Sequence, residues 1–318
     1  MTAVPLNPSD VGVVSRSAFS LFWSRFREDK AALFGAVVIF ALILIAIIGG
    51  PIAAWVTGHP NGVAYPSIME DSFGVPKGPN SQFWFGADGA GRDLFVRTLY
   101  GARTSLEVGI LASGLAVFIG LVVGLVAGYY GKWIDSALSR TGDVMLALPQ
   151  LLISIGIVAA CSTTKQGCQI GPISIQPGIE IVVAVIVIFS WPYIARIVRG
   201  FTLSLREKEF VEASRSLGAS NTRIIFREIL PNLIGPIIVY TTLLIPQSII
   251  FEAALSYLGL GVPPSTASWG GLLNDAQTYY DVAWWLMLFP GLFLVMTTLA
   301  FNLLGDGLRD ALDVRADR

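Results

Sequence analysis

EASRSLGASNTRIIFREILP, residues Glu212 to Pro231, interrupts a chain that is otherwise rich in lipid-compatible helices. The stretch reads as a short charged helix, a glycine and a second helix. From Arg206 to Leu217 the sequence REKEFVEASRSL puts Phe210, Ala213 and Leu217 on one helical face and charges on most of the remainder. Gly218 can end that helix in a left-handed conformation at little steric cost. Ser220 suits the N-cap of the second helix, which runs through Ile224, Ile225 and Phe226 toward Pro231. A short helix with an apolar ridge and charged sides fits a groove in another protein, or it lies on lipid headgroups. Periodicity alone does not separate the two.

The 318 residues are 54% hydrophobic and 14% charged. With a mean hydropathy of +0.67 they point to several membrane spans instead of the two soluble domains that length would allow. A transmembrane helix needs roughly 20 mostly apolar residues. Six stretches qualify: 31–56, 106–130, 143–160, 180–196, 232–252 and 284–304. The first is too long for a cleavable signal peptide, and a second span follows it. The expected organisation is therefore an N-terminal tail (1–30), span one (31–56), a loop (57–105), a core of spans two to six (106–304) that includes the charged segment 206–231, and a tail (305–318). This describes an all-α polytopic membrane protein.

Charge sets its orientation. Four Lys or Arg precede the first span, two lie in the second connection, seven in the fourth when Arg196 at the span end is included, and three in the tail. The opposite side holds four in the first loop, one in the third and none in the fifth. The positive-inside rule then places both termini, and the Glu212 segment, in the cytoplasm. Arg92, Arg97 and Arg103 run against the rule, and pairing with Asp88, Asp93 or Glu107 is expected to hold them. Cys161 and Cys168 fall in one outer loop, where a disulfide is chemically allowed and would stiffen the loop locally.

A net charge of -1 gives no case for nucleic-acid binding, and one histidine, His59, gives none for histidine-rich metal chemistry. The apolar cores lack ionisable groups, with Glu107, Glu180, Glu252 and Asp306 near span ends, which disfavours an ion-coupled transporter. Ala112, Ala116, Gly120, Gly124 and Gly128 line one face of span two with small side chains, as in a close helix contact within one bundle. Phe19, Phe22, Trp23 and Phe26 recur beside Arg16, Arg25, Arg27 and Lys30, the pattern of a helix lying in the inner interface. In the fifth loop, 253–283, Trp269, Tyr279, Tyr280, Asp275 and Asp281 could stack and hydrogen-bond; Trp284 and Trp285 equally suit an aromatic belt.

The segment resembles the coupling motif of ABC-transporter permeases, EAA, three residues, Gly, nine residues, then Ile-x-Leu-Pro. Glu212, Ala213, Gly218, Leu230 and Pro231 match at the right spacing, while Ser214 and Glu228 depart from it. Phe85–Gly109 (FGADGAGRDLFVRTLYGARTSLEVG), Leu255–Leu273 (LSYLGLGVPPSTASWGGLL) and Asn302–Asp313 (NLLGDGLRDALD) resemble the C-type subunit of dipeptide and oligopeptide permeases. The resemblance implies the type I importer permease fold, with the coupling helix between spans four and five docking into an ATPase. Phe210, Glu212, Ala213, Ser214, Leu217, Gly218, Leu230 and Pro231 would form that contact. It also implies a second homologous permease, two ATP-binding cassette subunits that bind ATP and Mg, and an extracytoplasmic substrate-binding protein. The chain has no GxxxxGK followed by Ser or Thr, so no cofactor is expected in it and the energy must come from a partner. Peptides are the expected cargo, with nickel complexes, glutathione or sugars as alternatives within the family. A secondary transporter or channel, and a scaffold that only recruits cytoplasmic proteins, are the readings from other classes. No substrate-contacting residue is named by the sequence.

Overall fold

The computed structural model describes residues 18–69, 74–162, 168–170 and 173–312. Arg16 and the side chain of Phe19 from the expected N-terminal helix, and residues 313–318 of the tail, lie outside these. In chain order the elements are α1 (Ala18–Glu28), α2 (Lys30–Thr57), α3 (Leu94–Tyr130), α4 (Lys132–Ala147), α5 (Gln150–Ser162), β1 (Cys168–Ile170), β2 (Ile173–Ile175), α6 (Ile179–Arg206), α7 (Glu209–Ser216), α8 (Asn221–Tyr257), α9 (Trp269–Ala276) and α10 (Trp285–Leu312). Five of them, α2, α3, α6, α8 and α10, are long and apolar enough to cross a membrane, and α4 with α5 forms a sixth, broken candidate.

Each boundary has a local cause. Asp93 caps α3 by accepting from Phe95 N (2.9 Å) and Val96 N (3.3 Å), so that helix begins twelve residues before the expected span and carries Arg97, Arg103 and Glu107 within it. The expected third span, 143–160, is not continuous. It is bent by 85° between α4 and α5. Leu148 precedes Pro149, is driven out of the helical region to ψ 138° and ends α4. At the other end of the coupling segment, the second short helix and span five are one 37-residue helix, α8, which has a π turn at Ile224–Ile229. At 1.5 Å per residue α8 is about 55 Å long, well beyond the roughly 30 Å of bilayer hydrocarbon.

The main seam is α3 against α6, and the small-residue stripe makes it. A Cβ on Gly120 would lie 2.8 Å from the Trp191 carbonyl oxygen, one on Gly124 2.6 Å from that of Ala195, and one on Gly128 2.7 Å from Thr202 Cβ. Ala112 and Ala116 are wholly buried on the same face. Close backbone approach within one chain is therefore what the stripe does. Phe22 and Phe26 of α1 cover Leu304, Leu308 and Ala311 of α10, so part of the expected interfacial stripe is protein core; Trp23 stays exposed beneath Arg27.

A small antiparallel hairpin, β1 with β2, interrupts the otherwise helical chain, pairing Cys168 with Ile175. Cys161 at the end of α5 is joined to Cys168 by a disulfide, which pins this hairpin to the helix.

Candidate functional site

The segment between α6 and α8 is built from a few fixed joints. Arg206 ends α6 and donates from Nη1 to the carbonyl oxygens of Gly128 (3.3 Å) and Tyr129 (3.1 Å), closing the C-terminal end of α3. Glu207 and Lys208 then break the helix, with Lys208 extended at ψ 147°, so the coupling helix begins at Glu209 and not at Arg206. Gly218 has φ +79°, Ala219 N donates to Ser214 O (3.1 Å) and Gly218 N to Arg215 O (3.0 Å). Those two bonds are the Schellman pair that closes a helix on a left-handed residue. Ser220 caps α8 by accepting from Arg223 N at 3.4 Å, and the Tyr129 hydroxyl donates to Asn221 Oδ1 at 2.9 Å, tying the start of α8 to the end of α3.

The anchor of α7 is Val211, which is fully buried against a cluster that includes Tyr129, Ile224, Ile229 and Leu233. Its burial is worth roughly 1.5 kcal/mol or more. Val211 lies beside the Phe210–Ala213–Leu217 ridge, on a second, inward face of the helix that it shares with half-buried Ser214. The ridge itself is free. Leu217 is 88% exposed and Phe210 40%, with Glu212 and Ala213 exposed beside them. Leu230 and Pro231 lie inside α8, below the π turn, and so belong to the rod that carries the segment and not to its tip. Beside α7 a polar cleft of about 430 Å³ is lined by Tyr129, Arg206, Glu207, Glu212 and Arg215.

The opposite end of the bundle is tied by charge. Buried Asp88 accepts from Arg92 Nε (2.7 Å) and lies 3.1 Å from Arg97 Nε, and Arg92 also reaches Asp275 at 3.6 Å. Arg92 and Arg97 both reach the Pro264 carbonyl oxygen, at 3.5 and 3.2 Å. Two of the three arginines are thus held by the expected Asp88, and Arg92 also by Asp275, which the sequence does not point to. Asp93 is occupied by the α3 cap and by His59 Nδ1 at 2.7 Å, and Arg103 and Glu107 are exposed. Burial, reinforced by Asp88 nearby, pushes the Asp275 carboxyl up from its ordinary value against the pull of the two arginines.

Two further expectations change here. Trp269 is wholly buried, donating from Nε1 to Thr98 O (3.0 Å) and from its backbone to Ser105 Oγ (3.2 Å), so it is core and not a ligand platform. Trp285 is likewise buried and bonded to Ala87 O (3.2 Å), while Trp284 is exposed. Glu252 does lie near the end of α8, which closes at Tyr257, but it is fully buried there. It accepts from Ser105 Oγ (3.1 Å) and Ser256 Oγ (2.7 Å), the hydroxyl partners that a buried carboxylate requires.

A family model described as the binding-protein-dependent transport system inner membrane component matches residues 120–318, and one described as the N-terminal TM domain of oligopeptide transport permease C matches residues 17–65. The chain is 40% identical over 291 residues to the dipeptide transport system permease protein of Alkalihalophilus pseudofirmus, covering 92% of this chain and 88% of that one. It is also 40% identical over 317 residues to the glutathione transport system permease protein of Escherichia coli, covering 98% and 95%. Among solved structures, the methionine ABC transporter in its inward-facing conformation aligns with a TM-score of 0.51 at 19% identity, over 67% of this chain and 94% of that chain, a likeness of fold. Two long helices joined by a capped, outward-facing short helix and a matching family model over residues 120–318 converge: the chain belongs to the binding-protein-dependent transport system inner membrane components, the permease subunits of ABC importers, which work with separate ATPase subunits and a binding protein.

Proposed function

We propose that this permease moves small peptides inward, and that α7 is the surface on which an ATPase subunit docks. One observation carries the docking reading: an eight-residue helix at the tip of α6 and α8 turns Phe210 and Leu217 away from its own chain while Val211 holds it in place. An exposed pair of this size on a rigid mount suits a groove in a partner. Glu212, exposed on the same helix, orients it through charge at the rim. The excess of Lys and Arg on the α7 side supports a cytoplasmic position for that helix and for both termini. The working assembly is this chain with a second, homologous permease, two ATPase subunits and an extracytoplasmic binding protein. Similarity to a dipeptide permease over nine-tenths of the chain supports the peptide cargo. The equally similar glutathione permease supports a second reading, glutathione itself.

Proteoliposomes holding the complete assembly test both. Uptake of a labelled dipeptide is expected to require ATP on the α7 side and binding protein on the other, and to resist competition by excess glutathione. Uptake of glutathione in preference to dipeptides would favour the second cargo. Uptake by the purified chain alone, without ATPase subunits, would contradict the coupling role.

A further inference from the structure

The two positions where the coupling segment departs from the motif it resembles face each other. Ser214, on the inner side of α7, donates from its hydroxyl to Glu228 Oε1 at 3.1 Å across fourteen residues of sequence. Both side chains are half-buried. Among the described residues no ion pair engages Glu228, and its backbone is held one turn on by Asn232 Nδ2, which donates to the Glu228 carbonyl oxygen at 2.6 Å. Glu228 lies within the π turn Ile224–Ile229, one of the places in the lower half of α8, with Pro231 and Pro236, where the regular helical ladder is interrupted.

We propose that Ser214 and Glu228 form a latch that makes α7 and the base of α8 move as one body. The inference rests on α7 being the ATPase contact and says how motion leaves it. The covalent joints of α7 are both non-helical, Glu207–Lys208 on one side and the Leu217–Ser220 turn on the other, and torsion there can absorb a push. Two contacts bypass the turn. Val211 in its apolar cluster resists separation, but apolar contact is non-directional and tolerates sliding. The Ser214–Glu228 hydrogen bond is directional and fixes the register of α7 along α8. It also ends inside the π turn, so a displacement of α7 enters α8 where the helical ladder is irregular. Ser214 and Glu228 are positioning residues, acting through α7 and α8 and not by touching substrate.

The test uses the complete importer in proteoliposomes, with two readouts: ATPase subunits copurifying with the permease, and substrate moved per ATP hydrolysed. Ser214→Ala and Glu228→Ala are each expected to keep copurification at the wild-type level and to lower substrate per ATP about fivefold. Glu228→Gln keeps an acceptor oxygen and is expected to recover most of the ratio. The double change Ser214→Ala with Glu228→Ile removes both polar partners together, which leaves nothing unpaired. It does not restore the directional bond, and is expected to stay about fivefold below wild type, like the alanine variants. Unchanged ratios in the single variants, or a double change that couples as well as wild type, would overturn the latch. Loss of the ATPase from either single variant would overturn it too, by making these residues part of the docking surface. Failure of the docking reading itself shows differently, as normal copurification after the exposed ridge is made acidic.

Discussion

Replacing Gly218 by valine is expected to cut transport about tenfold or more while the permease remains folded in the membrane and the ATPase continues to hydrolyse ATP. Gly218 sits at φ +79°, where a β-branched side chain meets its own backbone. No neighbouring atom lies within 4 Å of where its Cβ would be, so the whole penalty is torsional. The turn relieves it by leaving the left-handed region, and both Schellman bonds, Ala219 to Ser214 and Gly218 to Arg215, go with it. α7 would then lose its fixed angle to α8. Because the cost is torsional and not steric, a graded series follows: Asn, which tolerates this conformation, should do least harm, alanine more, valine most. Substrate uptake per ATP hydrolysed, measured across the three, checks the order, and a valine variant as well coupled as the asparagine one would refute this account of the turn.

Gly124→Leu is expected to remove most of the folded protein. The new side chain would begin 2.6 Å from the Ala195 carbonyl oxygen and 2.7 Å from Val198 Cβ, and the first of these is backbone that cannot rotate away. Overpacking a well-filled contact costs about 1–3 kcal/mol, and a site that meets backbone belongs at the upper end. α3 and α6 would have to separate along the seam that organises the bundle. The same substitution at Gly114, on the same helix but with nothing within 4 Å of its Cβ, is the control. The fraction of monodisperse protein recovered in mild detergent should fall sharply for Gly124→Leu and stay near wild type for Gly114→Leu. Equal recovery of the two would contradict the packing role.

Those two glycines also mark what was legible in the sequence. A glycine after an amphipathic stretch, a serine two residues on, and small residues every fourth position are local signals. The structure places a left-handed turn, a helix cap and a close helix contact at those positions. The break at Leu148–Pro149 is equally local, but the apolar run on both sides of it hides it in a count of span length. What could not be read depends on contacts far apart in the chain. The Pro264 carbonyl that receives Arg97 is 167 residues away, and the Thr98 carbonyl that receives Trp269 is 171 away. Loop composition suggested exposed aromatics for ligand stacking; folding instead spent Trp269 on joining α9 to α3. Val211 shows the same limit at short range. Two faces of one short helix are apolar enough to bury, and only the packing of α3 and α8 decides which one does.

The central claim is that the exposed ridge of α7 holds an ATPase subunit, and it is tested most directly by making that ridge acidic. In a permease carrying Phe210→Asp and Leu217→Asp together, both on exposed positions that leave Val211 in place, affinity-purified complex should contain about tenfold less ATPase than wild type, with the permease itself recovered in full. Wild-type amounts of ATPase on that variant would contradict the claim.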